Sequence, residues 1–506
     1  MRELILILAF LAFPVLGWAT ACDVPNSACY VRVGASGAAD GSDWTNAYTT
    51  LPATLTRGYT YYLASGTYAA YFAKTSNSGT TTITIQAATA ASHGTAVGWL
   101  SSYATDVSGP AVFNASTGGV GLYFKYSSDY WVVTGAGTYA GMGCGAGGPG
   151  CGLKIDGSAC TNSECHNLGL CEAASYGWPS CPHDISVSYM EISGAGYAKV
   201  DANVDLNVHD DSGGGTSSNG GGSNFTLSHL YIHNSSCVPI FTERASNITV
   251  DHCYIIGNAS TASNHGEGWA DDLTSTVTVS NNAWESIEGS GFIVELDRGA
   301  CPPSCTADSW SIYGNLFFYD NGNALSCQTG PCNTGVGDGA IACINKMLCT
   351  NWKIYQNDFV NIYGLDSGLC EDCTGEGSVA STWTVKNNLW WNNTVPATIA
   401  KGCTACVMTE DYNSWLNSAT NTAPAGAYDV KVPSSAPTPF VAWTASPPNL
   451  HLVGENADWN NGLTLSAPYN SDPDGVLRGQ DRQWDRGVFE YTSSLYPVIN
   501  LRAVPH

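Results

Sequence analysis

One pattern recurs through the middle of the chain. Residues 309–319 read Ser-Trp-Ser-Ile-Tyr-Gly-Asn-Leu-Phe-Phe-Tyr, residues 351–361 read Asn-Trp-Lys-Ile-Tyr-Gln-Asn-Asp-Phe-Val-Asn, and residues 381–391 read Ser-Thr-Trp-Thr-Val-Lys-Asn-Asn-Leu-Trp-Trp. Weaker copies begin at Asp184, Asn224, Asn247 and Thr276. Each copy alternates apolar and polar residues, passes a kink and continues as a second short apolar run. Alternation of period two marks a strand with one buried face. Copies start 23 to 42 residues apart, a spacing that marks stacked repeats. A coil of 23 residues with several short strands and no helical pattern fits an all-β parallel solenoid, with loops of varying length leaving a constant core.

Aligned copies give the core its columns. Ile185, Phe225, Ile248, Val277, Trp310, Trp352 and Trp383 form one apolar column. Two residues on, Val187, Leu227, Val250, Val279, Ile312, Ile354 and Val385 form a second. At the kink stand Met190, Leu230, Cys253, Asn282, Asn315, Asn357 and Asn388. The four asparagines suit a ladder in which stacked amides bond to one another and to the turn backbone. A ligand-binding role is the weaker reading, because buried polar groups at turns need such partners.

Residues 1–21 read as a secretion signal: Arg2 is the basic end, Leu4–Leu16 the apolar run and Ala19-Thr-Ala21 the cleavage site. The apolar run is too short for a membrane span. Cleavage would leave Cys22 first, either as a lipid attachment point or bridged to Cys29. Twenty Cys in 506 residues of an exported chain argue for disulfides. Sequential neighbours give the pairs 22/29, 144/151, 160/165, 171/181, 237/253, 301/305, 327/332, 343/349, 370/373 and 403/406. The last two also have zinc-like CxxC spacing. Residues 140–183, rich in Gly and Cys, read as a loop excursion from a single domain over 22–490, and 491–506 as a tail. The net charge of −24 disfavours nucleic acid, which needs basic groups. It makes an anionic polymer awkward unless a cation such as calcium bridges it; the plain alternative is solubility.

The two ends carry a resemblance. Tyr30-Val-Arg-Val-Gly34, Asp40-Gly-Ser-Asp-Trp-Thr-Asn-Ala-Tyr48, Thr50-Leu-Pro-Ala-Thr-Leu55 and Tyr61-Tyr-Leu-Ala-Ser-Gly-Thr-Tyr68 resemble the opening of right-handed parallel β-helix proteins of the pectate-lyase-like superfamily. Asp472-Pro-Asp-Gly-Val-Leu-Arg478 and Trp484-Asp-Arg-Gly-Val-Phe-Glu490 resemble the closing cassette of the same group, departing from it at Arg486, where an aliphatic residue is usual. The resemblance implies a right-handed parallel β-helix with a short N-terminal capping helix, placed near residues 45–57. It says little of function, since relatives include polysaccharide lyases, glycosidases, uronan epimerases and surface proteins.

Candidate chemistry lies on the strands that precede the cassettes. Alternation turns Phe241 and Glu243 outward from one strand, Trp269 and Asp271 from the next, and Glu295 and Asp297 from the third. His265 and Glu267 stand just before this stripe, and Arg244 and Arg298 at its edge. Carboxylates at the strand spacing of about 4.8 Å cannot all ionise freely, so one keeps a proton or a cation binds. Asp271 and Glu295 are the candidate calcium ligands. Trp269, Phe241, Arg244 and Glu267 are the candidate substrate contacts, and Asp271, Glu295, His265, Glu243, Asp297 and Arg298 the candidate catalytic groups. Each has a plain alternative: a solvated acidic face, a histidine bonding a turn, aromatics packing together. Asn207-Val-His-Asp-Asp211 is faintly similar to an epimerase motif, with two positions changed.

Two functions follow. One is an exported polysaccharide-active enzyme, lyase or glycosidase, working as a monomer through the stripe. The other is a non-catalytic surface or matrix protein whose stapled rod is itself the function.

Overall fold

The computed structural model describes residues 22–492, except 116–119, 126, 145–149, 161–164, 173–180, 195–203, 208–221, 236–237, 258–266, 286, 288–291, 295–305, 320–339, 344–347, 363–368, 372–380, 394–398, 402–406, 419–425 and 446–447. The chain winds as a right-handed parallel β-helix. Each complete coil lays one strand in each of three parallel sheets. A representative coil places Ser275–Ser280 in the first sheet, Ala283–Glu285 in the second and Phe292–Val294 in the third. Among the described residues these sheets hold twelve, twelve and ten strands.

The cassette is the first sheet, a corner and the second sheet. Register runs Ile185–Phe225–Ile248–Val277–Trp310 along the first apolar column and Val187–Leu227–Val250–Val279–Ile312 along the next. Both continue through Ile354, Trp352, Trp383 and Val385. These side chains fill the main core. Trp310, Trp352 and Trp383 stack with centroids 4.9 and 5.1 Å apart. Phe317, Phe359, Trp390 and Trp415, inward from the second sheet, form another stack at 4.7 to 5.0 Å. Stacking at strand spacing suits flat rings in a parallel in-register pile.

The corner between these sheets is two residues long. The first of each pair is left-handed: Asn281, Gly314, Gln356, Asn387 and Tyr412 have φ between 54° and 66°. The second is the ladder residue. Asn315 donates from its side chain to the Val279 carbonyl at 2.9 Å and to Asn357 Oδ1 at 3.0 Å, and its backbone N–H donates to that same oxygen at 3.0 Å. Asn282, Asn357 and Asn388 repeat the pattern. Asn413 is a fifth rung, with its N–H on Asp429 at 2.8 Å. These are structural bonds to neighbouring coils.

Several expectations need correction. Residues 45–57 form turns, not a helix. The Asp43 carboxylate caps Thr45 and Asn46 N–H at 2.8 Å, but the chain then bridges Val31 at Tyr48. The helical turn at this end is Val24–Asn26. Residues 140–183 contain two ordinary strands, Leu153–Asp156 in the second sheet and His166–Glu172 in the third. Bridges 22–29, 144–151, 160–165, 171–181 and 343–349 form as paired above, so Cys22 takes the disulfide reading. The 237/253 bridge does not form: Cys253 is a free thiol buried in the kink column. Burial pushes it up to about 12. Cys237 lies outside the described residues, as does at least one partner in each remaining pair.

Val430–Val432 is the last strand of the second sheet, and residues 433–491 fold back over that sheet's outer face. Phe440, Leu450, Trp459, Val488 and Phe489 pack on outward Leu316, Phe318, Val360, Leu389 and Trp391. Here the departure at Arg486 is explained. Its guanidinium donates to Asn413 O, Ser414 Oγ, Tyr428 O and Asn461 O at 2.8 to 3.3 Å, which an aliphatic residue would leave unpaired. Gly487, at φ 91°, lies against the buried Asp358 carboxyl, where a Cβ would collide.

Asn315→Leu should destabilise the protein by about 1–3 kcal/mol, since it strands buried acceptors and N–H groups in two coils. Denaturant melts of Asn315→Leu and Asn357→Leu read this, and unchanged midpoints in both would remove the ladder from the account. Cys253 should resist alkylation in the native protein and react once it is unfolded, as mass spectrometry would show.

Candidate active site

From Asp184 onward a corner of one or two residues leaves no room for excursions between the first and second sheets, whereas in the two coils before it that connection runs over residues 88–110 and 135–152. In the later coils long connections therefore leave at the two edges of the third sheet. Loops on a rigid scaffold are where sites are usually built, which directs attention to that sheet's outer face.

Register decides which residues face outward. Ile240, Phe241, Thr242 and Glu243 pair with Trp269, Ala270, Asp271 and Asp272. Ile240 and Trp269 belong to the main core, and Trp269 lies 5.3 Å from Trp310. Phe241 and Ala270 instead form a small cluster with Val238 outside that core. Alternation then sends Thr242 and Asp271 inward and sets Glu243, whose backbone partner is Asp272, on the outward phase. Trp269 and Asp271 thus face opposite to the direction expected above. The strand Trp-Ala-Asp-Asp supplies an apolar residue and a carboxylate in either phase, so its own alternation cannot choose.

Asp271 is 1% exposed. It accepts hydrogen bonds from the Thr242 hydroxyl and from Thr274 N–H at 3.1 Å. Thr242 Oγ1 in turn accepts the Trp269 indole N–H at 2.7 Å. Burial pushes the Asp271 carboxyl up to about 7, with Glu243 adding to the rise and the hydrogen bonds opposing it. Glu243 is 4% exposed and lies 3.7 Å from Arg244 Nε. Glu267 is buried just ahead of Trp269. His265, Glu295, Asp297 and Arg298 lie outside the described residues, as do His209 and Asp210.

The register adds residues that sequence reading passed over. Asp205 pairs with Phe241. Glu172 pairs with Asn207, which follows Leu206, the partner of Thr242. One row of backbone partners across the third sheet therefore holds Glu172, Asn207, Glu243 and Asp272, and the row two residues earlier holds Asp205 and Phe241. The signal was present as alternation in Val204–Asn207, upstream of the strands compared above.

Calcium needs several oxygen ligands around one point. Asp271 does not fit that part, because it faces the core and both its oxygens accept protein hydrogen bonds. Among the described residues, no three His, Cys, Asp or Glu side chains are grouped to hold a metal. No helix among them is long and apolar enough to cross a membrane.

No protein-family model and no curated protein sequence matches this chain. Solved structures do. The chain is similar to pectate lyase Pel9A, at 12% identity and a TM-score of 0.47, covering 92% of this chain and 96% of that one. It is similar to the family 28 exopolygalacturonase of Yersinia enterocolitica at 10% identity and a TM-score of 0.28, over 76% and 74% of the two chains. The alginate lyase AlyGC gives 11% identity and a TM-score of 0.29, over 83% and 56%. The chain shares their right-handed parallel β-helix fold. At these identities the likeness concerns fold alone.

Asp271 yields a pH prediction. Its native value near 7 exceeds the unfolded value of about 3.9, so between these the native state binds more protons. Stability from this group is then full below about pH 4 and falls as pH rises to 7. Asp271→Asn should melt further below wild type at pH 4 than at pH 7. A difference constant across that range would mean that the carboxyl ionises normally.

Proposed function

We propose that the protein is an exported polysaccharide-active enzyme whose reaction centre lies on the outer face of the third sheet. The pairing of Glu243 with Asp272 carries this reading. Neighbouring strands set two carboxyl-bearing residues about 4.8 Å apart, with Phe241 in the adjoining row to meet a sugar face. At that distance the two carboxyls cannot both ionise freely. One then serves as general acid while the other acts as base or nucleophile. The spacing is near the roughly 5–5.5 Å of retaining glycosidases. A lyase would instead use His265, Arg244 or Arg298 as the base beside a uronate, and a bound calcium would then supply charge to the uronate and make activity chelator-sensitive. Glu267 and Asp297 would flank the cleft, and Trp269 and Asp271 would hold its floor from beneath. The leader-like residues 1–21 and the disulfides support export.

The test is a polysaccharide panel assayed for new reducing ends and for the ultraviolet absorbance of unsaturated sugars, with and without chelator. Glu243→Gln and Asp272→Asn should each lower kcat by about a hundredfold or more without lowering the melting temperature. Wild-type rates in both variants on a cleaved substrate would move the chemistry elsewhere. Absence of cleavage across the panel would favour the non-catalytic matrix reading, which the disulfide-stapled rod also supports.

A further inference from the structure

A second groove lies on a different face, outside the first sheet. It has a volume of about 340 Å³. Its floor is the outward row Val132, Ser186, Thr226 and Thr249, in register across four coils. Its rim is the row of residues two positions earlier, Tyr130, Asp184, Asn224 and Asn247. All four rim residues are left-handed, with φ between 55° and 61°. That backbone holds their side chains in a line along the helix axis. Asn247 donates to Asn224 Oδ1 at 2.7 Å, and Asn224 donates to Asp184 Oδ1 at 3.1 Å. The Tyr130 ring ends the row, edge-on to His183 at 5.3 Å.

These rows repeat donors and acceptors at about 4.8 Å over roughly 14 Å of length, three strand spacings. Val132 and three hydroxyls line one side, the Asp184 carboxylate and two amides the other, and the Tyr130 ring closes one end. Such a surface recognises a chain of hydroxyls with a stacking face, which is a glycan. Charge narrows the class. No Lys or Arg is among the lining residues described, so nothing there would neutralise a uronate, and the chain's net charge of −24 opposes anionic polymers. The groove's one carboxylate, Asp184, is already engaged by Asn224 and by His183 Nδ1 at 2.5 Å.

We infer that this groove is a second glycan-binding site, selective for an uncharged polysaccharide and separate from the third-sheet face. The protein would hold a neutral matrix polymer here, whatever polymer the third sheet acts on. Isothermal titration of the full chain with neutral hexasaccharides (gluco-, xylo- and manno-oligomers) and with oligogalacturonate provides the test. At least one neutral oligomer should bind, and oligogalacturonate should not compete for it. Tyr130→Asn keeps a residue that tolerates the left-handed backbone and removes the ring; Thr226→Trp fills the floor. Each should weaken neutral binding at least tenfold with unchanged melting. Failure of every neutral oligomer to bind, binding displaced by oligogalacturonate, or binding indifferent to both groove variants would overturn the inference. None of these outcomes depends on whether the third sheet is catalytic.

Discussion

The corner between the first and second sheets is the constraint on which the rest depends. Left-handed φ costs a residue with a Cβ roughly 1–2 kcal/mol, and four of the five successive corners from Asn281 to Tyr412 accept it without glycine. The asparagine that follows offsets the cost. Its amide satisfies the N–H groups and carbonyls that a two-residue bend would leave unpaired. Because each Asn Oδ1 takes two bonds from the preceding coil, a coil cannot slip by one residue without breaking both. Register follows from this, and from register come the inward stacks of Trp and Phe.

The same corner decides where variation is allowed. Coils from Asp184 onward differ by up to 19 residues in spacing, from 23 to 42, yet their first-to-second connection stays one or two residues long. Extra length must therefore enter beside the third sheet. The outer face of that sheet is flanked by variable connections on both edges, and the face of the first sheet is a regular array of short polar side chains. The two faces thus suit different tasks, one changeable chemistry and the other repetitive contact.

What could be read from sequence follows the same division. The cassette columns were legible because six-residue strands with one apolar face carry several alternations, and the register matches them position by position. Asn413 was missed because its strand, Val407–Asp411, lies at the end of the sheet and lacks the apolar column. The third-sheet strands are three or four residues long for the most part, too short for alternation to fix a phase. Trp269 and Asp271 were therefore turned the wrong way, and Asp272 and Asp205 were overlooked. Cys253 shows a related failure: closeness in sequence suggested a partner, whereas its place in the kink column required an inert core residue. In 140–183, glycines and disulfides replaced the apolar signal of two ordinary strands.

The closing segment has a consequence for the order of events in the cell. A ribosome releases the coils from the N-terminal end, and each new coil can settle on the one before it. Among the described residues, the apolar outer face of the second sheet from Leu316 to Leu416 is covered by residues 433–491. Until those emerge, a growing chain presents a greasy flank to its surroundings. Arg486, bonded to carbonyls contributed by Asn413, Tyr428 and Asn461, acts as a latch that shuts last. A chain truncated before it would be a finished spiral with a sticky side, prone to self-association rather than to unfolding.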